Sequence, residues 1–122
     1  IIVDGRLYRG ARGVAPALGH LTVDAGGGPC RCGRRGCLDT VASDWGVLRH
    51  AEAAGLIPPG DDGPDRIAAL TRRALEGDAA AAALFRHAGE ALGLAIANLI
   101  NLLNPLRVIL TGEGLRAGPL LS

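Results

Sequence analysis

The feature that most constrains this chain is the segment from residue 25 to residue 37, which is rich in Gly, Cys and Arg and has no helical or strand period. Such a segment can neither pair along a sheet nor bury one face of a helix, so something else has to hold it. It contains the three cysteines of the chain, Cys30, Cys32 and Cys37, and His20 precedes them. Three thiolates and one imidazole are a preferred tetrahedral ligand set for zinc. The pattern therefore predicts a structural zinc site on these four residues.

Two further details bear on this prediction. Gly33 and Gly36 favour convergence of the cysteines on one ion, because glycine turns the backbone without steric cost. A disulfide framework is not indicated, since the cysteine count is odd and Cys30 and Cys32 are too close for an easy bridge. The alternative is three unrelated buried thiols in a glycine-rich loop. The loop's arginines are expected to balance the charge of the thiolates, with a nucleic-acid role as the alternative: Arg31, Arg34 and Arg35.

Composition places the chain among ordinary globular domains. Of its 122 residues 48% are hydrophobic and 20% charged, and the net charge of +1 argues against a self-sufficient nucleic-acid binder. The sequence has no Met and opens on Ile1, so we expect it to be a piece of a longer protein. The longest uncharged stretch, 91–106, is shorter than the roughly 20 residues that a bilayer demands. With no membrane segment and no secretory signal, a cytoplasmic location is expected.

The order of expected elements is mixed α and β. Asp4-Gly5 predicts a hairpin turn near the start, and helical spacing predicts helices near 40–54, 65–75 and 79–103. Asn104-Pro105 should end the last helix, and a buried strand at 107–110 should lead into a glycine turn ending at 114. The last helix is apolar on several sides, so part of its surface should meet another copy of the chain or the lobe that this chain lacks. We expect a homo-oligomer, most simply a dimer.

At this point a set of glycine, histidine and cysteine positions resembles the signature of the ROK family of repressors and sugar kinases. The resemblance implies that residues 1–122 are a fragment of the sugar- or effector-binding domain. That domain would be an α/β part of the C-terminal lobe of an actin-like ATPase (ribonuclease H-like) fold, with a zinc loop at 20–39. The positions that carry the resemblance are Gly10-Ala11, Gly13, Gly19-His20, the Cys-x-Cys-Gly-x-x-Gly-Cys run at 30–37, the stretch 101–105 and the stretch 111–114.

The same resemblance implies roles for single residues. His20 would ligate zinc through one ring nitrogen and donate a hydrogen bond to a sugar hydroxyl through the other. Two family glutamates that hold the sugar correspond to Ala17, which offers no hydrogen bond, and Asp39, whose carboxylate has a shorter arm. Asp39 is thus a candidate ligand-binding residue or, equally, the cap of the helix that follows. Gly112 and Gly114 match a nucleotide-binding turn, and a plain strand-to-helix turn explains them equally well.

The sequence is compatible with three functions. The leading hypothesis is the sugar-sensing domain of a ROK-type transcriptional regulator, which would reach DNA only through an upstream domain. The alternative is a fragment of an ATP-dependent sugar kinase, for which ATP would be a cosubstrate. A zinc-stabilised structural or dimerisation domain is the third. The chain has no catalytic base at a position of the family pattern, so the hypothesis leans away from an enzyme.

Overall fold

The structure is a computed structural model that describes residues 1–13, 17–111 and 118–120. The chain opens with a hairpin of two short antiparallel strands, β1 (Ile2–Val3) and β2 (Arg6–Leu7). The turn between them has positive φ at both Asp4 (49°) and Gly5 (72°), as a two-residue hairpin turn requires. The hairpin predicted from Asp4-Gly5 is confirmed.

Four α-helices follow the hairpin. They are α1 (Asp39–Ala42), α2 (Asp44–Ala53), α3 (Pro64–Leu75) and α4 (Ala79–Leu103). Before them, a turn of 3-10 helix spans Leu18–His20, and the loop to α1 holds the cysteines. Within the described residues, the only sheet is the hairpin, so the α/β character is carried mostly by helices.

The hydrophobic core lies where α2, α3 and α4 meet. Its side chains are small or aliphatic apart from Phe85, which agrees with an aromatic content of only 2%. Small residues at the contacts allow the helix axes to approach closely. The buried set is Val47, Leu48, Ala51, Leu70, Ala74, Ala81, Phe85 and Ala88.

Two predicted elements are corrected. The helix expected near 40–54 is interrupted at Ser43, whose extended backbone (φ −83°, ψ 160°) separates α1 from α2. The Ser43 hydroxyl donates to Asp39 O at 2.6 Å and accepts from Gly46 N at 3.1 Å. A serine at this place caps a new helix more favourably than it continues an old one.

The prediction of a buried strand at 107–110 is wrong for the described structure. Residues 107–111 form no helix or strand, and Val108, Ile109 and Leu110 are exposed. A strand needs a neighbour that satisfies its backbone groups, and the described part of the chain places none beside this segment. The predicted end of α4 is correct: Asn104 takes a left-handed conformation (φ 42°) and its N–H bonds Ile100 O.

Candidate metal centre

His20 and the three cysteines come together at one point. His20 ends the 3-10 turn. Cys30, which is buried, and Cys32, which is exposed, lie in the turn at the tip of the loop. Cys37 pairs with Thr22 in an isolated antiparallel bridge just before α1. One donor atom from each of the four residues lies within 4.8 Å of all the others. Cys30 Sγ is 3.8 Å from His20 Nδ1, and Cys32 Sγ is 3.6 Å from Cys37 Sγ.

The separations of 3.6 Å and 3.8 Å are close to the edges of a zinc tetrahedron. With Zn–S near 2.3 Å and Zn–N near 2.0–2.1 Å, tetrahedral geometry sets ligand-to-ligand distances of about 3.5–3.8 Å. Four protein ligands would close the coordination sphere, as in a structural site rather than a catalytic one. The donor set and its geometry therefore fit a zinc ion held by His20, Cys30, Cys32 and Cys37.

The backbone of the loop explains how the donors converge. Gly33 and Gly36 both have positive φ, 86° and 65°. Gly36 is also packed against Asp24: a Cβ built at residue 36 would lie 1.5 Å from Asp24 O. The Gly36 carbonyl accepts from Val23 N at 2.9 Å and from Asp24 N at 3.2 Å. The glycine predicted to permit the turn is thus also required by a close approach of two backbones.

The cysteine thiols have opposite electrostatic environments. Hydrogen bonding by the backbone N–H of Arg34, and then by its guanidinium, lowers the pKa of Cys32 to about 6. Burial, followed by the neighbouring Cys32 and Cys30, raises the pKa of Cys37 to about 11. The contact with Cys32 raises the pKa of Arg34 in turn. A metal ion bound by the three cysteines would favour the thiolate form of each of them.

Asp39 lies directly beside His20. Its Oδ2 is 3.5 Å from His20 Nδ1, the nitrogen that also faces Cys30. The two side chains are 35% (His20) and 42% (Asp39) exposed, so a small molecule can reach them. Asp39 also closes over the preceding turn, since a Cβ at Gly19 would lie 2.0 Å from Asp39 Oδ1. The capping alternative for Asp39 is wrong: Leu38 is the N-cap of α1, and no side-chain hydrogen bond caps it.

Of the candidate residues Ala17, Gly112 and Gly114, the described part of the chain includes only Ala17. Ala17 begins the turn that carries His20, and its carbonyl accepts from His20 N at 3.1 Å. Gly112 and Gly114 lie outside the described residues, so their match to a nucleotide turn stays a prediction. Among the helices of the described residues, none combines the length and apolar character needed to cross a bilayer.

Two contacts were missed by sequence reasoning. Arg31, expected to balance charge, also places its guanidinium 4.5 Å from the centre of the Trp45 ring. His50 and His87 bring their rings edge-to-face with centres 6.0 Å apart. Neither contact leaves a local signal, because each joins residues from segments distant in sequence. Only the packing of the helices could have revealed them.

A comparison with known families decides where the chain belongs. The model of the ROK family matches residues 1–122. This chain belongs to the ROK family. Its curated relatives include kinases and repressors. The glucokinase of Halalkalibacterium halodurans is 36% identical over 127 residues, which cover 97% of this chain and 38% of that protein. The DNA-binding transcriptional dual regulator NagC of Escherichia coli K12 is 32% identical over 93% of this chain and 29% of its own length.

Solved structures of ROK proteins share the fold of this chain. The ROK hexokinase from Thermus thermophilus superposes with a TM-score of 0.83 at 32% identity, over 98% of this chain and 40% of that one. A ROK family transcriptional regulator, a homologue of the E. coli MLC protein, gives 0.79 at 31% identity, over 98% of this chain and 31% of that one. This ROK chain thus spans about two fifths or less of the length of these relatives. The likeness implies the actin-like ATPase fold that the family resemblance led us to expect.

Proposed function

We propose that this chain is the sugar-sensing part of a ROK-family transcriptional regulator. In this function a zinc ion on His20, Cys30, Cys32 and Cys37 holds the loop, and His20 and Asp39 contact a sugar or sugar derivative. The observation that carries the proposal is the contact of Asp39 with His20, an accessible carboxylate and imidazole beside the metal cluster. Sugar hydroxyls are recognised by such polar groups held in fixed positions.

The two nitrogens of His20 can serve both partners. Nδ1 faces the thiolates, which leaves Nε2 to carry the proton and donate to a hydroxyl. The Asp39 carboxylate can accept from a second hydroxyl once Nδ1 is occupied by the metal. Zinc binding would thereby free Asp39 from its contact with His20 and fix the imidazole tautomer at the same time.

Binding without reaction is favoured by the residues that differ from the family pattern. Ala17 and Asp39 stand where the resemblance implies glutamates. A lost charged hydrogen bond is worth about 1.5–3 kcal/mol, or roughly tenfold to a hundredfold in affinity. A kinase must hold its sugar in a reactive orientation, whereas a sensor needs only a difference in affinity between two states. The relatives include xylose and N-acetylglucosamine repressors, so pentoses and amino sugars are candidate effectors alongside glucose.

The test restores the missing carboxylate. Ala17→Glu should tighten binding of a common hexose by about tenfold or more, since residue 17 lies on the turn that carries His20. Calorimetric titration with glucose, xylose and N-acetylglucosamine measures the change. The matched control is Ala83→Glu, an exposed alanine on α4. Equal affinities of wild type, Ala17→Glu and Asp39→Asn for every sugar would contradict a sugar site here.

The kinase alternative has its own support, the glucokinase relative at 36% identity and the hexokinase structure. The full-length gene product separates the two functions. A regulator should bind the sugar without consuming ATP, and the sugar should change its affinity for DNA. Steady turnover of ATP with a hexose would overturn the regulator and establish the kinase.

A further inference from the structure

The two ends of the cysteine loop are attached to the helices in different ways. At one end Cys37 leads straight into α1, and its carbonyl accepts from Thr40 N at 2.9 Å. At the other end, residues 30–35 form a protruding turn closed by Cys30 N to Arg34 O at 2.7 Å. The Pro29–Arg35 bridge and the bond from Gly36 N to Gly28 O join this turn to the rest of the loop. Among the described residues, the contacts of the turn with the helices are made by side chains.

Arg31 is the side chain of this turn that reaches the helices. Its Nη2 donates to Asp62 Oδ2 at 2.5 Å, and its Cζ lies 4.5 Å from the centre of the Trp45 ring. Asp62 belongs to the segment between α2 and α3, and Trp45 to the first turn of α2. A guanidinium over an aromatic face within about 6 Å is attracted by the ring. Arg34, by contrast, bonds His20 O and stays within the loop.

Trp45 is placed as a platform for this contact. It is the only tryptophan of the sequence, yet it is absent from the cluster of buried side chains at the centre of the helices. The next residue, Gly46, is pressed against α1: a Cβ there would lie 2.6 Å from Asp39 O. The start of α2 is thereby fixed to the helix that follows Cys37. Through Arg31, Trp45 can fix the position of the turn with Cys30 and Cys32 relative to Cys37.

We propose that Arg31 clamps the tip of the metal loop to Trp45 and Asp62, so that the metal is retained longer and the order of the loop is transmitted to α2. The inference rests on the metal site proposed above, and not on its sugar. Arg31 lies between the ligands Cys30 and Cys32, so its position sets the positions of both sulfurs. It is a positioning residue, because its guanidinium contacts Trp45 and Asp62 rather than a metal donor.

The experiment compares two arginines of the same loop. Arg31→Gln and Arg35→Gln remove the same charge from the same turn, but among the described residues only Arg31 of this pair contacts the helices. Zinc release to excess chelator should be about two- to fivefold faster in Arg31→Gln, from the worth of an exposed cation–π contact. Arg35→Gln should release zinc at the wild-type rate. Asp62→Asn should also speed release, and Arg31→Lys, which keeps the cation, should restore part of the retention.

Tryptophan emission gives a second readout of the clamp. In the wild type, chelation should shift the Trp45 emission, whereas Arg31→Gln should already show the shifted spectrum and respond little to chelation. A Trp45→Phe variant, which has no tryptophan, gives the background emission. Equal release rates and equal spectra for Arg31→Gln and Arg35→Gln would overturn the clamp while leaving the metal site intact. Zinc-free wild-type protein would overturn both, and neither result bears on which sugar is bound.

Discussion

At the scale of single residues, the cysteines of the candidate metal centre differ in burial and in charge environment. Cys37 is fully buried and pairs with Thr22, whereas Cys32 is exposed and stabilised as thiolate by Arg34. Cys37 is held in place by its burial in the folded chain. The hydrogen bonds of Arg34 favour the thiolate form of Cys32, which is the form that binds a cation.

Asp78, away from this cluster, is likewise stabilised in its charged form by hydrogen bonds. Its Oδ1 accepts from Ala80 N and Ala81 N, and its Oδ2 accepts from the Arg73 guanidinium.

The Asp78 carboxylate gives a prediction about pH. Hydrogen bonds from the backbone N–H of Ala81 and from Arg73 hold the pKa of Asp78 below its ordinary range. A carboxyl whose pKa is depressed by folding stabilises the protein fully above its unfolded pKa of about 3.9, and this contribution disappears as pH falls through the folded pKa. The difference in melting temperature between wild type and Asp78→Asn should therefore be constant above about pH 5 and shrink in more acid solution.

Thermal denaturation followed by circular dichroism checks this. Asn remains a good N-cap, so Asp78→Asn isolates the charge, while Asp78→Ala also removes the cap and should lower the melting temperature further, on the order of 5 °C. A difference between wild type and Asp78→Asn that stays unchanged into strong acid would show that the ionised carboxylate does not stabilise this helix.

At the scale of elements, the contact of α1 with α2 links the helices to the metal loop. Gly46 makes it possible, because a Cβ there would lie 2.6–2.8 Å from backbone atoms of Asp39 and Thr40. We expect Gly46→Ala to destabilise the fold by about 1–3 kcal/mol, since backbone on both sides would have to move. The matched control is Gly93→Ala on α4, where a Cβ meets nothing within 4 Å.

The control variant Gly93→Ala should not lower the stability of the fold. Alanine favours a helix interior over glycine by about 0.5–1 kcal/mol, so Gly93→Ala should leave stability unchanged or raise it. Urea denaturation of both variants measures the two effects. A Gly46→Ala protein as stable as the wild type would mean that α1 and α2 are not packed as closely as described.

The elements also show how far the sequence could be read. The convergence of His20 with the three cysteines was predictable because thiol and imidazole chemistry is specific and their spacing is local. The hairpin at Asp4-Gly5 and the cap at Asp78 follow from equally local rules. The break between α1 and α2 at Ser43 was not predictable, because the apolar spacing continues across it. The hydrogen bonds of the Ser43 hydroxyl separate the two helices. The strand at 107–110 failed because a strand depends on a partner that its own residues do not specify. The Arg31–Trp45 contact likewise depends on the packing of distant segments.

At the scale of the whole molecule, α4 carries apolar surface that the described residues leave uncovered. Leu102 is 80% exposed, and three further apolar side chains of its C-terminal half are about half exposed: Leu94, Ile100 and Leu103. Surface of this kind marks an interaction site. We expect the protein to form a homodimer through it, and sedimentation equilibrium at micromolar concentration should give twice the mass of the chain.

A pair of leucine variants tests which surface is used. Leu102→Asn should weaken the dimer by about tenfold or more, the worth of one buried leucine side chain. Leu75→Asn, which replaces an exposed leucine of α3, should leave it unchanged. A monomer at every concentration, or equal weakening by both variants, would contradict dimerisation through α4.

The metal content of the purified protein tests the central claim most directly. His20, Cys30, Cys32 and Cys37 should hold one zinc ion per chain, measured by elemental analysis of protein purified under reducing conditions. His20→Asn and Cys32→Ser should lose the metal, whereas His50→Asn, a histidine outside the cluster, should keep it. Zinc-free wild-type protein, or full zinc content in both ligand variants, would contradict the account.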